Sequence, residues 1–180
     1  FPTMKTLNEV EPRIAINATN TPGDADSLFK ITQPGSYYLT GNIAGVTGKQ
    51  VIEIAASDVT LDLMGFELLG TPTSLDGIAT SVASLSGLTV RNGTIRNCGG
   101  DGIDFATVTS SGAHIEGVTV QANFSGIRLG IRAVVTRCTA LANGADGINA
   151  GNGAIVTDCV ASASGGGDGI ETGEGSVISR

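Results

Sequence analysis

Residues 146–170 read DGINAGNGAIVTDCVASASGGGDGI, so the tripeptide Asp-Gly-Ile opens and closes this stretch with a spacing of 22 residues. Five pairs of glycine followed by isoleucine recur at regular spacing along the chain, at Gly77, Gly102, Gly126, Gly147 and Gly169. With Ile52 counted as an earlier member, the intervals are 21 to 26 residues. A period of this length, in a sequence rich in small and β-branched residues, indicates a solenoid in which each repeat is one coil.

The composition of the 180-residue chain favours short strands joined by tight turns, because it has 27 glycines and no tryptophan. The net charge is −7 and basic residues form no cluster, so we expect no nucleic-acid partner and no anionic membrane partner. No apolar run approaches the roughly 18 residues of a membrane span. The acidic, lysine-poor composition suits a secreted or cell-surface protein. Because the sequence starts at Phe1 without a leader-like segment, we expect a secretion signal to have been removed or not cloned.

Each repeat predicts three short strands. One follows the Gly-Ile corner, a second contains an alternating apolar segment such as Leu88-Thr89-Val90, and a third precedes a small polar stretch. Three strands in about 22 residues predict an all-β, right-handed parallel β-helix of about six coils. The hexapeptide period of a left-handed β-helix is absent.

Alternation within the strands predicts which side chains point inward. One inward column comprises Val90, Ile115, Val135, Val156 and Ile178, and a second comprises Ile95, Val118, Cys138 and Cys159. Outward positions carry charges of alternating sign in successive coils, namely Arg91 beside Glu116, Asp104 beside Arg128, and Arg137 beside Asp158. We expect these charges to pair between coils and fix the register. Asn97, Asn123 and Asn143 are expected to form a hydrogen-bonded ladder at a turn.

The chain divides into an N-terminal cap with a leading strand, residues 1–49, and the β-helix coils, residues 50–180. The cap does not follow the repeat period, and residues 24–30 in it are compatible with one helical turn. A cap is expected because the end of a solenoid exposes unpaired strand edges. No cap sequence is visible after Val177, so self-association through the C-terminal coil is a further expectation.

The segment Asn92-Gly93-Thr94-Ile95-Arg96-Asn97, the Gly-Ile corners and the Val-x-x-Cys segments at 135–138 and 156–159 resemble the pectate-lyase-like superfamily of right-handed parallel β-helices. Within that superfamily the chain is most similar to secreted bacterial β-helix repeat proteins without an assigned function. The resemblance covers residues 31–180, and the strand at 35–43 is similar to the one that leads into the first coil. Characterised relatives act mostly on acidic polysaccharides as lyases, hydrolases, esterases or tailspikes, so the resemblance implies polysaccharide as a possible partner.

The catalytic strings of a polygalacturonase-like site, Asn-x-Asp, Asp-Asp, Gly-His-Gly and Arg-x-Lys, do not occur in this sequence. We therefore identify no catalytic residue and expect a secreted, non-enzymatic module that acts as a scaffold or a carbohydrate-contacting surface. A polysaccharide lyase or glycoside hydrolase with an unrecognised site is the alternative.

Four aspartates precede corner glycines and are candidate calcium ligands: Asp76, Asp101, Asp146 and Asp168. Stacking would bring carboxylates of successive coils together, and Ca²⁺ would compensate their repulsion. The favoured interpretation is turn chemistry, with each carboxylate accepting N–H groups of its own turn and each glycine supplying backbone freedom.

Cys138 and Cys159 occupy equivalent positions 21 residues apart, so they are expected to stack as two buried thiols, with a disulfide as the alternative.

Overall fold

In a computed structural model, the regular structure of the protein consists of short parallel strands. The structure describes residues 12–106, 111–163 and 165–180, and for residue 163 it describes the main chain alone. Within these residues there are nineteen strands and no helix. In chain order they are β1 (Ile14–Ala15), β2 (Ser27–Ile31), β3 (Gly35–Tyr38), β4 (Ile43–Ala44), β5 (Gln50–Ile54), β6 (Val59–Asp62), β7 (Glu67–Leu69), β8 (Ile78–Thr80), β9 (Thr89–Arg96), β10 (Ile103–Phe105), β11 (His114–Gln121), β12 (Ile127–Leu129), β13 (Val134–Thr136), β14 (Thr139–Asn143), β15 (Ile148–Ala150), β16 (Ile155–Thr157), β17 (Val160–Ala163), β18 (Ile170–Thr172) and β19 (Val177–Ser179).

The strands stack in three faces around one core, and every strand pair is parallel. The first face consists of β2, β5, β8, β10, β12, β15 and β18. The second face contains β1, β3, β6, the first halves of β9 and β11, then β13, β16 and β19. The third face contains β4, β7, the second halves of β9 and β11, then β14 and β17. This arrangement confirms the predicted parallel β-helix.

The number of coils is about seven, one more than the sequence predicts. The additional coil contains β2, β3 and β4, in a stretch assigned above to the N-terminal cap. β2 pairs with β5 through Phe29↔Ile52 and Ile31↔Ile54. The period does not reveal this coil because Phe29 occupies the position that Gly-Ile isoleucines take in later coils. Residues 1–11 of the predicted cap lie outside the described residues.

The helical turn considered for residues 24–30 is wrong, because Ser27–Ile31 is strand β2. Asp24 nevertheless acts as the local acceptor that suggested a helix cap. Its Oδ1 accepts the N–H groups of Asp26 and Ser27 at 3.0 and 2.9 Å, and its Oδ2 lies 2.8 Å from Nζ of Lys30. These bonds hold a turn that leads into a strand.

The first predicted inward column is confirmed. Val90 pairs with Ile115, Ile115 with Val135, and Val135 with Val156, and all four are fully buried. Ile178 continues the register on β19 but is 54% exposed. On the first face the isoleucines that follow the corner glycines stack on one another and point into the core.

The second predicted column places Ile95 beside Val118, and this pairing is wrong by two residues. Ile95 pairs with Val120, which pairs with Ala140, whereas Val118 pairs with Gly93. The phase is set at the corner between the second and third faces, where four successive coils each have one left-handed residue: Asn92, Gly117, Arg137 and Asp158, with φ of 52–60°. Because three of these four residues are not glycine, the sequence does not mark the corner.

Candidate functional site

Four of the five corner glycines, Gly77, Gly102, Gly126 and Gly147, are required by close contact with the next coil. Their φ values lie outside the left-handed region, so the predicted role in backbone freedom is wrong. A Cβ atom on Gly77 or Gly102 would lie 2.6 Å from the carbonyl oxygen of the corner glycine in the next coil, and one on Gly147 would lie 2.5 Å away. At Gly126 the nearest atom is again the next corner carbonyl, and at Gly169 it is the carbonyl oxygen of Ala161. A side chain at any of the first four positions would separate the coils.

Three of the four corner aspartates accept a main-chain N–H of the next coil rather than of their own turn. Oδ1 of Asp76 accepts the N–H of Asp101 at 2.7 Å. Oδ1 of Asp101 accepts the N–H of Ser125 at 2.9 Å, and Oδ1 of Asp146 accepts the N–H of Asp168 at 3.0 Å. Each bond joins equivalent corner positions of successive coils. The four aspartates are therefore coupled in two pairs, with Ser125 at the break between them.

Arg128 compensates the acidic groups at this corner. Its Nη1 lies 2.9 Å from Oδ2 of Asp101 and 3.7 Å from Oδ2 of Asp104. Asp101 is only 3% exposed, so its carboxylate is held almost entirely by protein donors. The hydrogen bond to Asp101 raises the pKa of Arg128, and the charge of Asp104 adds to this rise.

The pKa values of two corner aspartates, Asp76 and Asp146, shift in opposite directions. Burial raises the pKa of Asp76, and the charges of Asp101 and Asp104 contribute to the same direction. The side-chain amide of Asn149 and the N–H of Asp168 lower the pKa of Asp146. Asp76 therefore holds a proton more readily than Asp146.

The donor set at Asp101 does not fit a calcium ion. Ca²⁺ takes six to eight oxygen ligands, whereas both carboxylate oxygens of Asp101 already accept hydrogen bonds from Ser125 and Arg128. Among the residues that the structure describes, no group of three or more His, Cys, Asp or Glu side chains could hold a metal ion. Calcium binding at Asp76, Asp146 and Asp168 stays a prediction.

Charged side chains on the outer surface pair between coils, as expected, but not always with the predicted partner. Asp104 and Arg128 are register neighbours. Arg91 and Glu116 are also neighbours in register, yet Nε of Arg91 lies 3.0 Å from Oδ2 of Asp62. Glu116 pairs instead with Arg137. An outward residue can bond to the coil on either side, and the sequence does not say which.

Cys138 and Cys159 stack in neighbouring coils as free thiols, and Cys98 is also free. The N–H of Cys138 lies 3.4 Å from Sγ of Cys159. The contact between the two thiols, together with burial, raises the pKa of Cys138, and the Cys138 thiol and N–H lower that of Cys159. Burial raises the pKa of Cys98 to about 12, so that thiol stays protonated.

The asparagine ladder contains Asn123 and Asn143, and Cys98 rather than Asn97 stands at its head. Oδ1 of Asn123 accepts the N–H of Cys98 at 3.0 Å, and Oδ1 of Asn143 accepts the N–H of Asn123 at 3.1 Å. Asn97 precedes this ladder at a left-handed position with φ of 58°. Its carboxamide takes part in no hydrogen bond among the described residues and therefore points to no structural role.

Sequence reasoning did not identify a groove at the corner between the third and first faces. We call it the corner groove; it is about 440 Å³ in volume and crosses three coils. Its walls and floor include Thr71, Pro72, Asn97, Cys98, Asn123 and Phe124. The only signal in the sequence is Phe124, an apolar residue in a stretch where the other coils have small or polar ones.

A family model for the right-handed β-helix region matches residues 50–179. The chain belongs to this family. The match covers most of the coils described above and confirms the resemblance to right-handed parallel β-helices. No curated protein and no solved structure matches the sequence.

Membership of the right-handed β-helix family fixes the fold and leaves the other expectations as predictions. Partners, localisation and self-association through the C-terminal coil belong to this group. In the part of the chain that the structure describes, no helix is long and apolar enough to cross a membrane.

Proposed function

We propose that this chain is a secreted, non-catalytic β-helix module whose rigid outer surface contacts carbohydrate. The observation that carries the proposal is the use of the corner carboxylates in stacking. Asp76, Asp101 and Asp146, the best candidates for chemistry in the sequence, each accept a main-chain N–H of the next coil. Groups held in this way stabilise the register between coils.

Rigidity of the first face supports a role in binding. Outward side chains of this face bond along the solenoid, as in Lys30 with Glu53 at 2.8 Å and Arg128 with Asp101 at 2.9 Å. A surface whose side chains are already ordered loses little conformational entropy when a ligand binds. The resemblance to polysaccharide-active β-helix proteins suggests carbohydrate as the ligand.

Co-sedimentation with insoluble polysaccharides, combined with an assay of the supernatant, tests the proposal. The panel contains neutral and uronate polymers, each with and without Ca²⁺. We expect retention on at least one polymer and no soluble product. Reproducible release of reducing ends or of unsaturated uronates would contradict a non-catalytic role, and no retention on any polymer would contradict carbohydrate contact.

A polysaccharide-active enzyme is the second candidate, and the raised pKa of Asp76 is the observation that favours it. A carboxyl with a raised pKa keeps its proton closer to neutral pH, which is what a general acid requires. If the product assay is positive, Asp76→Asn should abolish product release, whereas Asp168→Asn at the exposed end of the same series should not. Equal release by both variants would exclude Asp76 as the acid.

A further inference from the structure

We propose that the corner groove is a binding site for a neutral pyranose unit of a glycan, with the sugar lying on the ring of Phe124. The inference rests on the carbohydrate-contacting function proposed above and assigns that function to one place and one ligand class. The groove has about 440 Å³, within the range of roughly 300–1,000 Å³ that small-molecule sites occupy.

Phe124 is the most unusual group of the groove. Phe124 is 59% exposed, whereas every other aromatic residue among those described is buried or half-buried. The main chain at this position is fixed from both sides: the N–H of Phe124 bonds to the carbonyl of Gly100 at 2.8 Å, and the N–H of Ala145 bonds to the carbonyl of Phe124 at 2.7 Å. The main chain therefore holds Phe124 at the edge of the groove, where its exposed ring offers an apolar surface.

The floor of the groove is rigid and neutral. Cys98 and Asn123 are each 4% exposed. The amide nitrogen of Asn123 donates to the carbonyl of Ile95 at 3.2 Å, and its amide oxygen accepts the N–H of Cys98 at 3.0 Å. The Cys98 thiol is protonated because burial raises its pKa to about 12. The floor shapes the site and leaves ligand binding to the rim.

Two polar side chains at the rim are available to a ligand. The half-buried carboxamide of Asn97 offers both donor and acceptor groups and has no partner among the described residues. The hydroxyl of Thr71 lies 3.4 Å from that of Thr73, a contact that a ligand hydroxyl could replace. A pyranose has one face of C–H groups for an aromatic ring and an edge of hydroxyls for such partners.

The uncharged lining of the groove favours neutral sugars over acidic ones. None of the described residues that line the groove is charged. A uronate carboxylate would need a cation such as an arginine guanidinium, and the net charge of −7 repels anionic polymers. The groove crosses three coils, about 10 Å at roughly 4.8 Å per strand spacing, so it accommodates one or two sugar units.

Titration calorimetry and amide NMR spectra with soluble oligosaccharides test the site. The probes are gluco-, manno-, galacto- and xylo-oligosaccharides for the neutral class and oligogalacturonate for the acidic class. The variants are Phe124→Ala, Phe124→Tyr and Asn97→Gly; glycine is chosen because Asn97 has a left-handed φ that alanine would strain. Val160→Ala, at an apolar side chain that is 61% exposed and lies outside the groove, is the matched control.

We expect a neutral oligosaccharide to bind and to shift amide signals of residues 97–99 and 122–124. Phe124→Ala should weaken binding about tenfold or more. Asn97→Gly should weaken it as well, and Phe124→Tyr and Val160→Ala should leave it within about twofold. Unchanged signals from the coils in each variant establish that it is folded.

Three outcomes overturn the inference, and they differ in what they say about the proposed function. Binding of neutral sugars that is insensitive to Phe124→Ala overturns the groove and leaves carbohydrate contact standing. Binding of oligogalacturonate alone overturns the neutral class. No binding of any probe at millimolar concentration, together with no retention on insoluble polymers, overturns both proposals.

Discussion

The carboxylate of Asp101 joins two coils, because Oδ1 accepts the N–H of Ser125 at 2.9 Å while Oδ2 bonds to Nη1 of Arg128 at 2.9 Å. Both partners lie one coil further along the solenoid, and the carboxylate is almost completely buried. A buried N–H needs an acceptor, and a buried carboxylate needs donors. Asp101 needs only the main-chain N–H at position 125, which any residue except proline supplies, so the bond to the preceding coil is kept with serine at this corner.

Asp101→Ala should destabilise the chain by about 1–3 kcal/mol, because it leaves the Ser125 N–H and the Arg128 guanidinium without their buried acceptor. Asp101→Asn should cost less, since an amide oxygen can still accept from Ser125. The measurement is the free energy of unfolding in urea at neutral pH. Asp168→Asn, at an exposed corner, is the control and should change it by less than about 0.5 kcal/mol. A loss at Asp168 equal to that at Asp101 would contradict the assignment.

The architecture was predictable from the sequence because each coil repeats the same corner. The column Val90, Ile115, Val135 and Val156 follows from simple alternation, and neighbouring coils leave only one register for it. The first coil was not predictable, since Phe29 replaces the Gly-Ile pair there. Its strand identity depends on pairing with β5, a tertiary contact that local patterns do not encode.

The candidate sites were less predictable than the fold. The sequence identifies Asp76 and Asp101 as neighbours but does not show that one accepts the main-chain N–H of the other. The corner groove depends on the relative placement of Thr71, Asn97 and Phe124, which are 26 and 27 residues apart in the sequence. Such a site becomes visible only once the left-handed residues at the corners are known.

Gly102→Ala should destabilise the protein by about 1–3 kcal/mol or more, because its Cβ would lie 2.6 Å from the carbonyl oxygen of Gly126 and would force two coils apart. The same substitution at Gly41, where no atom lies within 4 Å and φ is not left-handed, is the matched control. Gly41→Ala should be neutral or stabilise by up to about 1 kcal/mol. The midpoint of urea unfolding at unchanged slope measures both, and equal midpoints would refute the close-contact role.

The pH dependence of stability should change in opposite directions at Asp76 and Asp146. The pKa of Asp76 is raised in the folded chain, so its ionisation above the unfolded value of 3.8 weakens the fold, and Asp76→Asn should be more stable than the parent at pH 7. The pKa of Asp146 is lowered, so its contribution is present above 3.8 and is lost as pH falls through the folded pKa. Asp146→Asn should therefore be slightly less stable at pH 7.

Urea unfolding between pH 3 and pH 7 checks both signs. The difference between each variant and the parent should shrink toward pH 3, because the carboxyls are then protonated in the unfolded chain. An Asp76→Asn variant less stable than the parent at pH 7 would show that burial does not dominate at Asp76, and a more stable Asp146→Asn variant would contradict the sign expected at Asp146. Asp168 is exposed, so Asp168→Asn provides the baseline for the effect of removing one carboxylate.

The three thiols should react with iodoacetamide in a fixed order. Cys159 should be alkylated first, because it is half-buried and the Cys138 thiol and N–H lower its pKa. Cys98 should be protected under native conditions at pH 8, since burial raises its pKa to about 12 and the thiolate is the reacting species. Cys138 should also be protected and should become reactive only in urea.

Mass spectrometry of tryptic or chymotryptic peptides assigns each site, and Cys159→Ser should remove the fast phase alone. Alkylation of Cys98 as fast as that of Cys159 would mean that the floor of the corner groove is open to solvent.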